Sequence, residues 1–307
     1  MTKQKHTKRL GALLSGTLLF SMLLLPTQAG QMHILVDGSS YDGPVLMQNS
    51  TTYIPMRHFL TELGWTVQWD SAHGVAAAQK DGNIVSVDPS RQTLTVNGQT
   101  LSVSVPSQDE RLYLPLRTLG AFLDYSVEWN GGNHVSLTSG GAADKWSGEN
   151  LYWLSRIICA EAGGESLAGQ VAVGNVVLNR VDSDEFPNTI HEVIFDRKHA
   201  VQFEPVSNGT VYNEPTETSV QAAKLALQGV NTAGKSLYFF NPSLSQGTWI
   251  ADNRAYYTTI GCHQFYLFVP FLLCPGSVSP LPGIFMPPGH QGVSVPNEPC
   301  QTTRKTV

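Results

Sequence analysis

The chain has 307 residues, enough for two ordinary domains. It carries 19 Lys and Arg against 24 Asp and Glu, for a formal net charge of −5. An acidic balance argues against nucleic acid as a partner and offers no polybasic patch for anionic lipid.

The first segment is expected not to belong to the fold. Lys3, Lys5, Lys8 and Arg9 form a basic start, followed by an apolar run from Leu10 to Leu25. Pro26-Thr27-Gln28-Ala29 then places small residues where a signal peptidase reads, so residues 1–29 are assigned as a signal peptide and the product as secreted and extracytoplasmic. The alternative is a membrane anchor, but Gly11, Ser15, Gly16, Thr17 and Ser21 weaken the run as a spanning helix, and no stable membrane insertion is expected after cleavage. Cleavage removes four basic residues and leaves 15 against 24 acidic ones.

Residues 31–139 contain an internal repeat with an offset of 60 residues. Tyr53-Ile54-Pro55-Met56-Arg57 is matched by Tyr113-Leu114-Pro115-Leu116-Arg117, and Trp65, Val67 and Trp69 by Tyr125, Val127 and Trp129. The period-two alternation of the second block predicts a half-buried strand, and the segments Met56–Leu63 and Leu116–Leu123 predict helices that follow a proline. Ile84–Val87 and Thr93–Val96 read as strands, and Asn97-Gly98 marks a hairpin into Leu101. The expected architecture is a small α+β domain of two similar units. Its Tyr-[Ile/Leu]-Pro-[Met/Leu]-Arg motif with a following aromatic strand resembles the copper amine oxidase N-terminal-like domain of exported bacterial proteins. That resemblance implies no copper site, and His58, His73 and His134 are scattered. The paired tryptophans and arginines read first as core and scaffold. The other reading is a wall-binding surface on which exposed aromatics stack on sugars.

Residues 140–149, with Gly140, Gly141 and Ala142, have the composition of a flexible linker. A new pattern follows. Leu151, Leu154, Ile157 and Ile158 fall at helical spacing behind Asn150, a suitable N-cap, and Gly163-Gly164 ends the helix. Glu161 then sits in the last turn, facing the negative end of the helix dipole, which favours a retained proton. A general acid needs that proton near neutral pH, and burial would strengthen the effect. The plainer alternative is an exposed glutamate beside a helix stop. Ser166 can cap a second helix, Leu167–Val181, which is apolar nearly all round and so buried. Asn175 and Asn179, four apart on it, must find partners either in a loop or in a cleft.

Ala160-Glu161-Ala162-Gly163-Gly164-Glu165, Gly169-Gln170-Val171-Ala172-Val173 and Val177-Leu178-Asn179-Arg180-Val181 together resemble the SleB/CwlJ-type cell wall hydrolases, the spore cortex-lytic enzymes and their relatives. Phe186-Pro187-Asn188, Gln202-Phe203, Asn208-Gly209, Ala233–Pro242 and Gly261-Cys262-His263-Gln264-Phe265 agree in order, so residues 150–266 are assigned as the catalytic domain.

The resemblance implies a lysozyme-like catalytic domain, no cofactor and no metal. It implies peptidoglycan glycan strands as substrate, cut between N-acetylmuramic acid and N-acetylglucosamine, with Glu161 catalytic. Hydrolysis requires a second carboxylate at a defined separation, whereas a lytic transglycosylase manages with one glutamate. Glu165 is the nearest candidate in sequence, but its other reading is a carboxylate complementing the next helix dipole. The lack of an obvious second acid leans the expectation toward transglycosylation. Phe203, Tyr238 and Phe240 can stack on sugar rings; Gln202, Asn208, Asn241 and Glu165 can hydrogen-bond them. Each of these residue types also serves as core or turn.

Two alternatives remain: a non-catalytic peptidoglycan-binding protein, and a Cys-His wall peptidase using Cys159 and His263. In the latter, Cys159 lies two residues from Glu161 and so roughly 200° around the helix, which predicts that it faces the core if Glu161 faces a cleft. The four cysteines allow three pairings. Residues 267–307 hold eight prolines and one acidic residue, Glu298, and are expected to form an unstructured tail.

Overall fold

A computed structural model of the chain describes residues 32–140, 148–198, 201–245 and 249–268. The signal segment, most of the linker and the proline-rich tail lie outside the described residues. The fold is mixed α and β, as the alternating and helical patterns predict.

The N-terminal region holds thirteen strands and two helices. In chain order these are β1 (His33–Val36), β2 (Ser39–Tyr41), β3 (Leu46–Gln48), β4 (Thr51–Pro55), α1 (Met56–Glu62), β5 (Thr66–Asp70), β6 (Val75–Lys80), β7 (Asn83–Asp88), β8 (Thr93–Val96), β9 (Gln99–Ser102), β10 (Ser107–Gln108), β11 (Arg111–Pro115), α2 (Leu116–Phe122), β12 (Tyr125–Trp129) and β13 (His134–Ser139). The repeat is visible in the pairing. β4 and β11 run antiparallel with Ile54 opposite Leu114, which are equivalent positions of the two units. A local pseudo-two-fold therefore passes between them, and both side chains are fully buried. Pro55 and Pro115 precede their helices with φ −66° and −62°, and the helices start at Met56 and Leu116 as expected. There the fixed proline φ serves the bend from strand to helix.

The two units differ in how their sheets are completed. β5 to β9 form an antiparallel meander. In the second unit β13 pairs instead with the N-terminal β1, in parallel, giving the order β12-β13-β1-β2. Asn97 and Gly98 connect β8 to β9 with φ 49° and 81°, the two positive angles of a type I′ hairpin turn.

One expectation fails here. Trp69 and Trp129 are 49% and 47% exposed and Arg57 and Arg117 are exposed, so these repeat residues are not core. Both tryptophans stand near the ends of β5 and β12, which are edge strands and so lack a neighbour on one flank. Val67 and Val127, on the same strand faces as these tryptophans, pack against the core, and Val127 is buried.

The second region contains α3 (Gly148–Ala162), α4 (Leu167–Val181), α5 (Ile190–Phe195), α6 (Glu204–Asn208), α7 (Glu217–Leu227), β14 (Tyr238–Phe240), α8 (Trp249–Asn253), β15 (Ala255–Ile260) and β16 (His263–Leu267). α3 starts two residues before the expected cap at Asn150. α4 has the predicted bounds, and the Ser166 hydroxyl accepts from the Gly169 N–H at 3.4 Å. Buried Leu154, Ile157 and Ile158 of α3, Val171 to Val177 of α4 and Ala222 to Ala226 of α7 form one three-helix core. The antiparallel sheet β14-β16-β15 closes one side.

α7 also carries the N-terminal region. The buried Gln228 amide accepts from Val127 N and donates to Tyr125 O, so it pairs with the edge strand β12 as a neighbouring strand would. Gln221 donates to Ala121 O, and Lys224 forms an ion pair with Asp124. Among the described residues, no helix is long and apolar enough to cross a membrane.

Candidate active site

A cleft of about 1370 Å³ opens between α3, α4, α6, α8 and the small sheet. Glu161 arrives at it from the last turn of α3, Arg180 from the last turn of α4, Glu204 from the first turn of α6, and His263 from the start of β16. Gln202, Phe203, Asn208, Tyr238, Phe240 and Asn241, widely separated in sequence, line the same cleft.

The two amides of α4 set part of this wall. Asn175 donates to Val230 O and accepts from Thr232 N, both at 2.8 Å. Asn179 donates to Gly234 O and Ser236 O, each at 2.9 Å. They brace the loop that leads into β14, which delivers Tyr238 and Phe240.

Glu161 has its carboxyl pushed up to about 7, chiefly by burial. His263 and Arg180 pull it down and Glu204 pushes it up, and burial wins. The expected dipole effect is thus secondary to desolvation. Arg180 is buried, and burial lowers its guanidinium to about 10, so it remains a cation at neutral pH. Its Nε donates to Leu237 O at 2.8 Å, and its guanidinium carbon lies 4.9 Å from the Phe186 ring and 5.1 Å from the Phe203 ring.

Glu165 departs from expectation: it does not line the cleft. Its Oε2 accepts from Cys262 N at 3.1 Å, and its Oε1 lies 3.6 Å from His263 Nδ1. A Cβ at Gly261, where φ is 57°, would fall 1.8 Å from that Oε2, so a larger residue would strain the turn and displace the carboxylate. The His263 contact, followed by the Cys262 N–H, holds Glu165 below the usual carboxylate range against the opposing effect of burial. Glu165 is thus an ionised strut beneath the turn at Cys262, within 3.6 Å of a buried His263 Nδ1 that makes no hydrogen bond among the described residues. Substrate contact does not fit it, while its place just before the Ser166 cap keeps it near the N-terminus of α4.

Phe203 is 2% exposed and supports Arg180 from beneath, so its ring face is not open to a sugar. Phe240 stacks on Tyr266 with centroids 5.6 Å apart. Asn208 Oδ1 is engaged by Thr210 N and Oγ1, and Asn241 Oδ1 by Ser243 N, which leaves their amide NH₂ groups for a ligand. Cys159 also departs from expectation: it is half-buried and lines the cleft beside Arg156 and Ala160. The cleft is broad enough to take in more than one face of the α3 C-terminus. Cys159 is free, and no hydrogen bond joins it to His263 among the described residues.

Reasoning from sequence missed Glu204, the cationic role of Arg180, and Trp249. Trp249 is 56% exposed at the cleft, with the Arg254 guanidinium 4.8 Å over its ring and 4.7 Å from that of Tyr238. No periodicity marks Trp249, and Glu204 becomes a neighbour of Glu161 only through folding. Among the described residues no group of three or more His, Cys, Asp or Glu could hold a metal ion.

Both regions resemble known proteins in sequence. Residues 164–266 match the family described as Cell Wall Hydrolase, and residues 35–138 match the copper amine oxidase N-terminal domain. A spore cortex-lytic enzyme of Bacillus cereus is 38% identical over 120 residues, covering 39% of this chain and 45% of the relative. The cell wall hydrolase CwlJ of Bacillus subtilis is 31% identical over 121 residues, covering 37% of this chain and 81% of the relative. The solved catalytic domain of the germination-specific lytic transglycosylase SleB from Bacillus anthracis is 35% identical, with 41% of this chain and 98% of that one covered at a TM-score of 0.36. The chain belongs to the cell wall hydrolase family of SleB and CwlJ. It spans a little under half the length of the spore cortex-lytic relative from Bacillus cereus. The family match begins at Gly164, three residues after Glu161, so the case for that side chain rests on the site itself.

Proposed function

We propose that the protein is an exported enzyme that cleaves the glycan strands of peptidoglycan between N-acetylmuramic acid and N-acetylglucosamine, as a lytic transglycosylase with Glu161 as its acid and base. The observation that carries this reading is the Glu161 carboxyl, desolvated and tuned to about 7 on the wall of a long cleft. Such a group holds a proton near neutral pH yet can release it. Membership of a family of wall hydrolases supplies the substrate class.

In this mechanism Glu161 gives its proton to the glycosidic oxygen as the bond from muramic C1 breaks, and the oxygen keeps the electron pair. The resulting carboxylate then takes the proton of the C6 hydroxyl, whose oxygen closes onto C1 to form the anhydro ring. Trp249 and Tyr238 offer ring faces to the sugars, and the NH₂ groups of Asn208 and Asn241 offer donors.

Glu204 favours a second reading. It raises the Glu161 carboxyl and lines the same cleft, so it could serve as the second carboxylate of a hydrolase. Mass spectrometry of products from purified sacculi separates the two. Anhydro-muramic ends are expected; reducing muramic ends, one water heavier, would contradict transglycosylation and favour Glu204 as a water-activating base.

A further inference from the structure

Arg180 is 5% exposed, yet it lines the cleft. Its Nε is satisfied by Leu237 O, but its Nη1 is buried and has no hydrogen-bond partner among the described residues. A buried guanidinium donor left unpaired is costly and calls for an explanation. The rings of Phe186, Phe203 and Tyr238 surround the guanidinium at 4.9, 5.1 and 5.8 Å, so it is held in place.

The charged groups that act on Glu161 are His263 from β16, Glu204 from α6 and Arg180 from α4. Tyr238 and Asp196 also act on Arg180. Arg180 is a cation throughout the neutral range. A neutral Glu161 gains little from a nearby cation, whereas an ionised one gains much more in a water-poor site.

We infer that Arg180 is a positioning residue that acts through Glu161, with its unpaired Nη1 offsetting the negative charge that appears when Glu161 gives its proton to the leaving oxygen. The inference rests on the reading of Glu161 as the acid. The interaction strengthens as the proton leaves, so it favours the transition state over the resting enzyme. It also explains why a buried cation lines the same cleft as an acid that must stay protonated at rest. Burial keeps the proton on, and Arg180 limits the cost of letting it go.

The test does not require turnover. The Glu161 carboxyl is titrated by infrared difference spectroscopy on the full chain, assigned by the band lost in Glu161→Gln. In Arg180→Gln the midpoint is expected to rise by about one pH unit or more, a tenfold weaker acid. Arg180→Met gives the same rise and fits the aromatic surroundings without a buried polar end. Arg180→Lys restores part of the shift. On peptidoglycan, kcat is expected to fall by about 10²–10³ with KM little changed. An unmoved midpoint in the folded Gln or Met variant would overturn the proposal, as would a loss confined to KM. A wild-type protein inactive on peptidoglycan would refute the proposed function, while the titration would still decide the role of Arg180.

Discussion

His263 Nδ1 stands 3.6 Å from Glu165 Oε1, while the other oxygen of that carboxylate accepts from Cys262 N at 3.1 Å. One ionised side chain thus holds the turn that presents a histidine to the cleft and lies within ion-pair distance of its ring. Glu165→Gln is expected to free the ring, lowering activity about tenfold to a hundredfold through misplacement near Glu161. It should cost about 1–3 kcal/mol of stability, read by urea denaturation. Wild-type activity in a folded Glu165→Gln would remove His263 orientation from the account.

The two glutamates should give opposite pH signatures. Glu161 is raised in the folded state, so between about 4.5 and 7 the folded protein holds a proton that the unfolded chain has lost. Stability therefore falls as pH rises through that window, by up to about 3 kcal/mol from this group. Glu161→Gln should remove the loss and be more stable than wild type at pH 8. Glu165 is lowered, so its contribution is present above the ordinary carboxylate range and fades on acidification below it. Thermal melts of both variants between pH 3 and 8 test the pair, and parallel profiles would contradict it.

Gln228 joins the two regions by pairing with β12. Gln228→Ala leaves Val127 N and Tyr125 O without that partner and should destabilise by about 1–3 kcal/mol. Limited proteolysis should then release the N-terminal region sooner than in wild type. An unchanged cleavage rate would argue that the ion pair of Lys224 with Asp124 and the remaining contacts suffice.

Trp69 and Trp129 occupy equivalent repeat positions and are half exposed. Their joint replacement by alanine should change stability by less than about 1 kcal/mol per site, since exposed surface positions contribute little. If they stack on sugars, the same variant co-sediments less with purified sacculi. Unchanged sedimentation would leave the repeat region a spacer.

Much of the fold could be read from periodicity. The 60-residue offset showed the two similar units, though not the pairing of Ile54 with Leu114, and the apolar run of α4 with its Ser166 cap gave that helix its observed bounds. Glu161 was singled out by the family-like blocks around it more than by its place at a helix end, and six of the seven expected substrate residues line its cleft. What stayed hidden depends on distant residues meeting. Glu204 and Arg180 reach Glu161 from other helices, and Glu165 turns toward Cys262, which is 97 residues away. Local alternation also overstated the burial of Trp69 and Trp129, because it does not report which strand is an edge.

The most direct test of the central claim is digestion of purified peptidoglycan sacculi by wild type and by Glu161→Gln, followed as loss of turbidity. Wild type should clear the suspension, and the variant, folded and no less stable at neutral pH, should fall by about 10²–10⁴ in rate. Clearing by Glu161→Gln at the wild-type rate would contradict the account.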